Sequence, residues 1–88
     1  MIYREPMNLI IQVDDTLLGQ VLYYWTCYGK PCRLLLRPAN AENLTAILLH
    51  MDNANAGSFV WILHERLRVR LYEEGTMKAV KAEELFMY

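Results

Sequence analysis

The chain is short of cysteine, glycine, proline, long apolar runs and any excess of one charge, and each shortage removes a class of function. Two cysteines in 88 residues do not make a disulfide scaffold. Their setting, Cys27-Tyr28-Gly29-Lys30-Pro31-Cys32, also fails a thioredoxin-type site, which needs two intervening residues and a first cysteine at a helix N-terminus. Here four residues intervene, and Cys27 falls at the end of a predicted helix. Zinc would need two further ligands, and His50 and His64 show no paired spacing. With 4 glycines and 3 prolines there is no glycine-rich phosphate cradle, linker or low-complexity tract. The longest uncharged stretch, Thr16–Gly29, has 14 residues, whereas a membrane span takes about 20 apolar ones. Met1–Pro6 carries Arg4 and Glu5 and does not read as a signal peptide. The net charge of −1 gives no bulk attraction to nucleic acid or to an anionic membrane. The expectation is a cytoplasmic, non-enzymatic protein with no cofactor, no metal and no membrane contact.

What the chain has is apolar residues, 55% of the total. A single domain spanning residues 1–88 buries only about 60–65% of its unfolded surface, so this excess has two readings. Either both faces of a sheet are covered, or an apolar patch remains for a partner. Two helices cover only part of a sheet, which favours the patch and predicts a homodimer.

The order of elements follows from periodicity and punctuation. Met7–Val13 is a short apolar run with β-branched residues, begun by Pro6. Asp14-Asp15-Thr16 offers helix caps, and Leu17, Leu18, Val21, Leu22, Trp25 and Tyr28 then make one helical stripe that stops at Gly29 and Pro31. Tyr23 points away from that stripe. Cys32–Arg37 reads as a strand ended by Pro38. Asn40 opens a second predicted helix, in which Leu44, Ile47, Leu48 and Met51 keep the helical spacing, and Asp52–Gly57 closes it. Ser58–His64 is apolar at nearly every position, as expected of a strand buried on both faces. Leu67–Tyr72 alternates apolar residues with arginine, as expected of a strand with one wet face. Glu65-Arg66 is short enough to join these two as a hairpin, although neither residue favours the φ > 0 of a two-residue turn, and one long bent strand is the alternative. Glu74-Gly75-Thr76 is a turn, Met77–Val80 a last strand, and Ala82–Phe86 a short helix.

The fold class that results is two-layer α/β, in the order β-α-β-α-β-β, with both helices on one face of a small mixed sheet. That order also occurs in Alba-type chromatin proteins, the C-terminal domain of translation initiation factor 3 and small sulfur-carrier proteins. The likeness is one of order alone, and fold does not imply function. The sulfur carriers have a Cys-Pro pair where this chain has Asp14-Asp15-Thr16.

Strand parity then selects a binding face. If Leu9, Ile11 and Val13 point to the helices, Asn8, Ile10 and Gln12 point away. The same rule sends out Arg33, Leu35 and Arg37; Val60, Ile62 and His64; and Arg68, Arg70 and Tyr72. The candidate binding residues are therefore Arg33, Arg37, Ile62, His64, Arg68, Arg70 and Tyr72 on the sheet, with Tyr23 on the first helix as a separate anchor. An apolar patch rimmed by arginine suits a protein interface, where arginine is enriched and lysine depleted. The expected function is a small regulator, adaptor or inhibitor that binds another protein. Nucleic acid is the alternative occupant of the same arginines, with Tyr72 as one stacking platform. A thiol enzyme using Cys27 or Cys32 is the third reading. His50 and His64 lack a nucleophile at any recognisable elbow, and packing or helix-end charge explains them.

Overall fold

The computed structural model of the protein describes residues 7–39 and 43–80. The elements run β1 (Met7–Val13), α1 (Asp15–Cys27), β2 (Arg33–Pro38), β3 (Thr45–Met51), α2 (Ala54–Leu67), β4 (Leu71–Glu73) and β5 (Ala79–Val80). The five strands form one sheet in the order β2-β3-β1-β4-β5, and every neighbouring pair is antiparallel. The two-layer α/β class stands: the helices pack on each other and on one side of the sheet. Through β4 the order is β-α-β-β-α-β, the split β-α-β arrangement. β3 lies between β1 and β2, and β1 lies between β3 and β4.

Each element has a local cause. Asp14 caps α1: its Oδ1 accepts from the Leu17 N–H at 2.8 Å. Gly29, at φ 76°, takes the left-handed turn that stops the helix. β1 alternates as expected, with Leu9, Ile11 and Val13 buried. The side chains of β3 do the same, burying Ile47, Leu49 and Met51. α2 is capped by Asn53, whose side chain accepts from the Ala56 N–H at 2.9 Å. It buries Ala56, Phe59, Val60 and Leu63, one helical stripe.

Two expectations therefore change places. Residues 45–51, expected as a helix, are β3; residues 58–64, expected as a strand, lie within α2. In β3 the apolar residues satisfy a period of 2 as well as 3.6, and the β-branched Thr45 and Ile47 favour the strand. The Asp52–Gly57 run, read as a stop, contains the Asn53 cap and so starts a helix. Glu65-Arg66 is helix, not hairpin. The strand expected over Leu67–Tyr72 shortens to Leu71–Glu73, because α2 continues to Leu67 and Arg68 ends it. The turn at Glu74–Thr76 forms, and the last strand contracts to Ala79–Val80. The order is thus β-α-β-β-α-β-β, which removes the likeness of order to the chromatin, initiation-factor and sulfur-carrier proteins. The mixed sheet becomes antiparallel because β2 and β3 form a hairpin in place of a second crossover. The helix expected at Ala82–Phe86 lies outside the described residues.

Candidate functional site: the open sheet face

The register places the outward side chains on a grid. Leu35 of β2 stands beside Leu48 of β3, Leu48 beside Ile10 of β1, Ile10 beside Tyr72 of β4, and Tyr72 beside Ala79 of β5. This makes one apolar row across the whole sheet on the side away from the helices. One polar row flanks it: Arg33, then His50, then Asn8, with Glu74 next, its N–H donating to the Asn8 carbonyl at 3.1 Å. On the other flank stand Arg37, Ala46 and Gln12.

From His50 to Glu74 the polar row is hydrogen-bonded. His50 Nδ1 donates to Asn8 Oδ1 at 2.7 Å, and Asn8 Nδ2 donates to Glu74 Oε1 at 2.9 Å. These bonds fix the Asn8 amide orientation and the His50 tautomer together. The other ring nitrogen of His50 lies 3.8 Å from Asp52 Oδ2. Arg37 closes the string, its guanidinium 3.5 Å from the second Glu74 oxygen. Strands are spaced about 4.8 Å apart, so a flat sheet would hold Arg37 and Glu74 out of reach. Sheet twist draws this diagonal together on the open side. The face is therefore apolar along one line, braced on one flank and concave along one diagonal.

Of the expected binding residues, Arg33, Arg37 and Tyr72 lie on this face. Arg70 is exposed just before β4, at the end of the grid nearest Gln12, and lines a groove with Gln12 and Tyr72. Ile62 and His64 do not lie on the face, because they belong to α2. Arg68 is the C-cap of α2 rather than a strand residue. His64, Arg68 and Arg70 meet instead in a second open groove beside β5. Tyr23 is 64% exposed on α1. A side-chain hydrogen bond with Cys27, first among several causes, holds its phenol above the ordinary pKa. Sequence reasoning missed Ala46, Leu48 and His50, and the alternation of Ile47, Leu49 and Met51 was the signal that could have found them.

The thiols do not meet. Cys27 is exposed and Cys32 is buried. Burial, with a smaller effect from Asp52, pushes the Cys32 thiol up to about 11, far from the thiolate a nucleophile needs. No group of three His, Cys, Asp or Glu among the described residues has metal-holding geometry. No helix among them is long and apolar enough to cross a membrane.

Fold and face together define a class: a small two-layer α/β domain with an antiparallel sheet, one side covered by helices and the other presenting side chains outward. Comparison with protein-family models, curated proteins and solved structures gives no match.

Proposed function

We propose that this protein is a non-enzymatic interaction module, a regulator, adaptor or inhibitor, that binds protein through the open sheet face. The observation carrying this reading is the row Leu35–Leu48–Ile10–Tyr72, set by register and flanked by Arg33 and Arg37. An apolar centre with an arginine rim is how protein interfaces are composed. A second copy is the first occupant. Self-association through the row covers apolar surface that the chain's own helices leave open, giving a homodimer.

Nucleic acid is the second reading, favoured by Arg33, Arg37, His50 and Tyr72 sharing one face. RNA-binding sheets stack bases on aromatic residues. Strands β1 and β3 present Asn8, Ile10, Gln12, Ala46, Leu48 and His50 outward, with no Phe, Tyr or Trp among them and His50 the one ring, already hydrogen-bonded to Asn8.

Ile10→Lys and Tyr23→Lys separate the surfaces, since one lies on the sheet face and the other on α1. In affinity capture from host extract, Ile10→Lys should lose the bound protein and Tyr23→Lys should keep it. The opposite pattern moves the site to the helix layer. Loss of the captured protein after nuclease treatment, or a steep log–log salt slope, favours nucleic acid.

A further inference from the structure

The open face accounts for Arg33 and Arg37 but not for the outer edge of β2. This strand ends the sheet, and among the described residues it pairs with β3 alone. Its sequence is RLLLRP, and its leucines are exposed on both sides. Leu35 is 55% exposed toward the open face and Leu36 is 43% exposed toward the helix side. An apolar edge with unpaired backbone groups is a template for another strand.

Hydrogen-bond parity identifies which groups are unpaired. The Ala39 N–H donates to the Leu44 carbonyl at 3.4 Å, continuing the β2–β3 register by one position. Bonded pairs alternate along an antiparallel ladder. Arg33, Leu35 and Arg37 therefore turn their backbone groups toward β3, and Leu34, Leu36 and Pro38 turn theirs outward. Pro38 obeys this parity, since a strand proline belongs where no ladder N–H is required. The opposite end is closed as well: Trp25 Nε1 donates to the Cys32 carbonyl at 2.8 Å. What remains open among the described residues is the N–H and C=O of Leu34 and of Leu36, bounded by an occupied carbonyl and a proline.

Side chains decide which strand fits that edge. A second copy paired antiparallel about Leu35 would set Arg33 opposite Arg37 twice, and like charges directly opposite are destabilising. An incoming strand meets Arg33, Leu35 and Arg37 on the open-face side, and Leu34 and Leu36 on the helix side. We propose that the outer edge of β2 receives an extended segment of a partner protein, a short apolar run flanked by acidic residues, which adds a strand to the sheet. The proposal rests on the reading of the chain as a protein-binding module. Arg37 is already near Glu74, at 3.5 Å with both side chains partly exposed. Such a surface pair is weak enough to exchange for an incoming carboxylate.

The test uses the full chain and three fluorescein-labelled peptides, read by fluorescence anisotropy. One has the core Glu-Val-Val-Val-Glu. The second is identical but N-methylated at its first and third valines, which removes the donors facing Leu34 and Leu36. The third exchanges both glutamates for lysine. The acidic peptide should bind, and each change should weaken it at least tenfold. Arg33→Glu with Arg37→Glu should reverse the preference toward the lysine peptide. Absence of binding by the acidic peptide overturns the proposal, as does equal binding by the N-methylated or the lysine peptide. Ile10→Lys distinguishes this from the face reading: it should abolish self-association and retain the acidic peptide. A wild-type dimer that ignores the peptide sinks the edge and leaves the face, whereas a monomer that binds the peptide does the reverse.

Discussion

Arg68 holds a backbone conformation that its side chain opposes. At the end of α2 it has φ 55° and ψ 33°, and the following Val69 N–H reaches back to the Leu63 carbonyl at 3.2 Å. This is a Schellman-type closure, where glycine is the usual residue. A left-handed conformation costs a residue with a Cβ about 1–2 kcal/mol. Glycine avoids that cost but returns about 0.5–1 kcal/mol through its freer unfolded chain. The Arg68 side chain is exposed and makes no hydrogen bond or ion pair among the described residues. Its charge complements the helix dipole by about 0.3–1 kcal/mol, a contribution that Arg68→Gly and Arg68→Ala lose equally. The comparison of those two variants therefore isolates the strain. Arg68→Gly should exceed Arg68→Ala in stability by about 1 kcal/mol, a Tm difference of about 4–8 °C for a chain of this size. Urea denaturation followed by circular dichroism should show this as a shift in midpoint at constant slope. Equal midpoints would mean that the strain no more than offsets the entropic cost of glycine, and a glycine variant less stable by about 0.5–1 kcal/mol would mean that the left-handed cap is absent.

Asn53→Ala should lower stability by about 1 kcal/mol, because it removes the acceptor for the Ala56 N–H. An unchanged urea midpoint would contradict a helix beginning there. Cys32 sets an alkaline limit: its pKa is raised from 9.0 to about 11, so the folded state holds the thiol proton more tightly than the unfolded one. That stabilisation is intact below about pH 9 and is lost as pH rises through about 11, on the order of 3 kcal/mol in all. Cys32→Ala should lack this drop in a melting series across the same range, and a parallel decline in both proteins would contradict the assignment.

Legibility in the sequence tracked how local each signal was. α1 was readable throughout because Asp14, the Leu17–Tyr28 stripe and Gly29 are all short-range signals. The outward positions of β1 and β2 were also readable, since alternation needs only neighbours, and Arg33, Arg37 and Ile10 follow from it. The segment from Thr45 to Leu67 was misread. Thr45–Met51 fits two periods, and the aspartate–asparagine run after it serves equally as a stop or as a cap. Placing Ile62, His64 and Arg68 on the sheet followed from that single exchange. Strand order was beyond local reading altogether. That β2 is an edge, and that Arg37 reaches Glu74, depend on β3 inserting between β2 and β1, a pairing of residues far apart in sequence.

Light scattering on the wild type and Ile10→Lys at micromolar concentration decides whether the open face, as proposed, associates with protein and first with a second copy. The wild type should show about twice the 10.4 kDa chain mass and Ile10→Lys the single-chain mass, with the same circular dichroism in both. A wild-type monomer at the highest soluble concentration would contradict the proposal, and so would an Ile10→Lys protein that still dimerises.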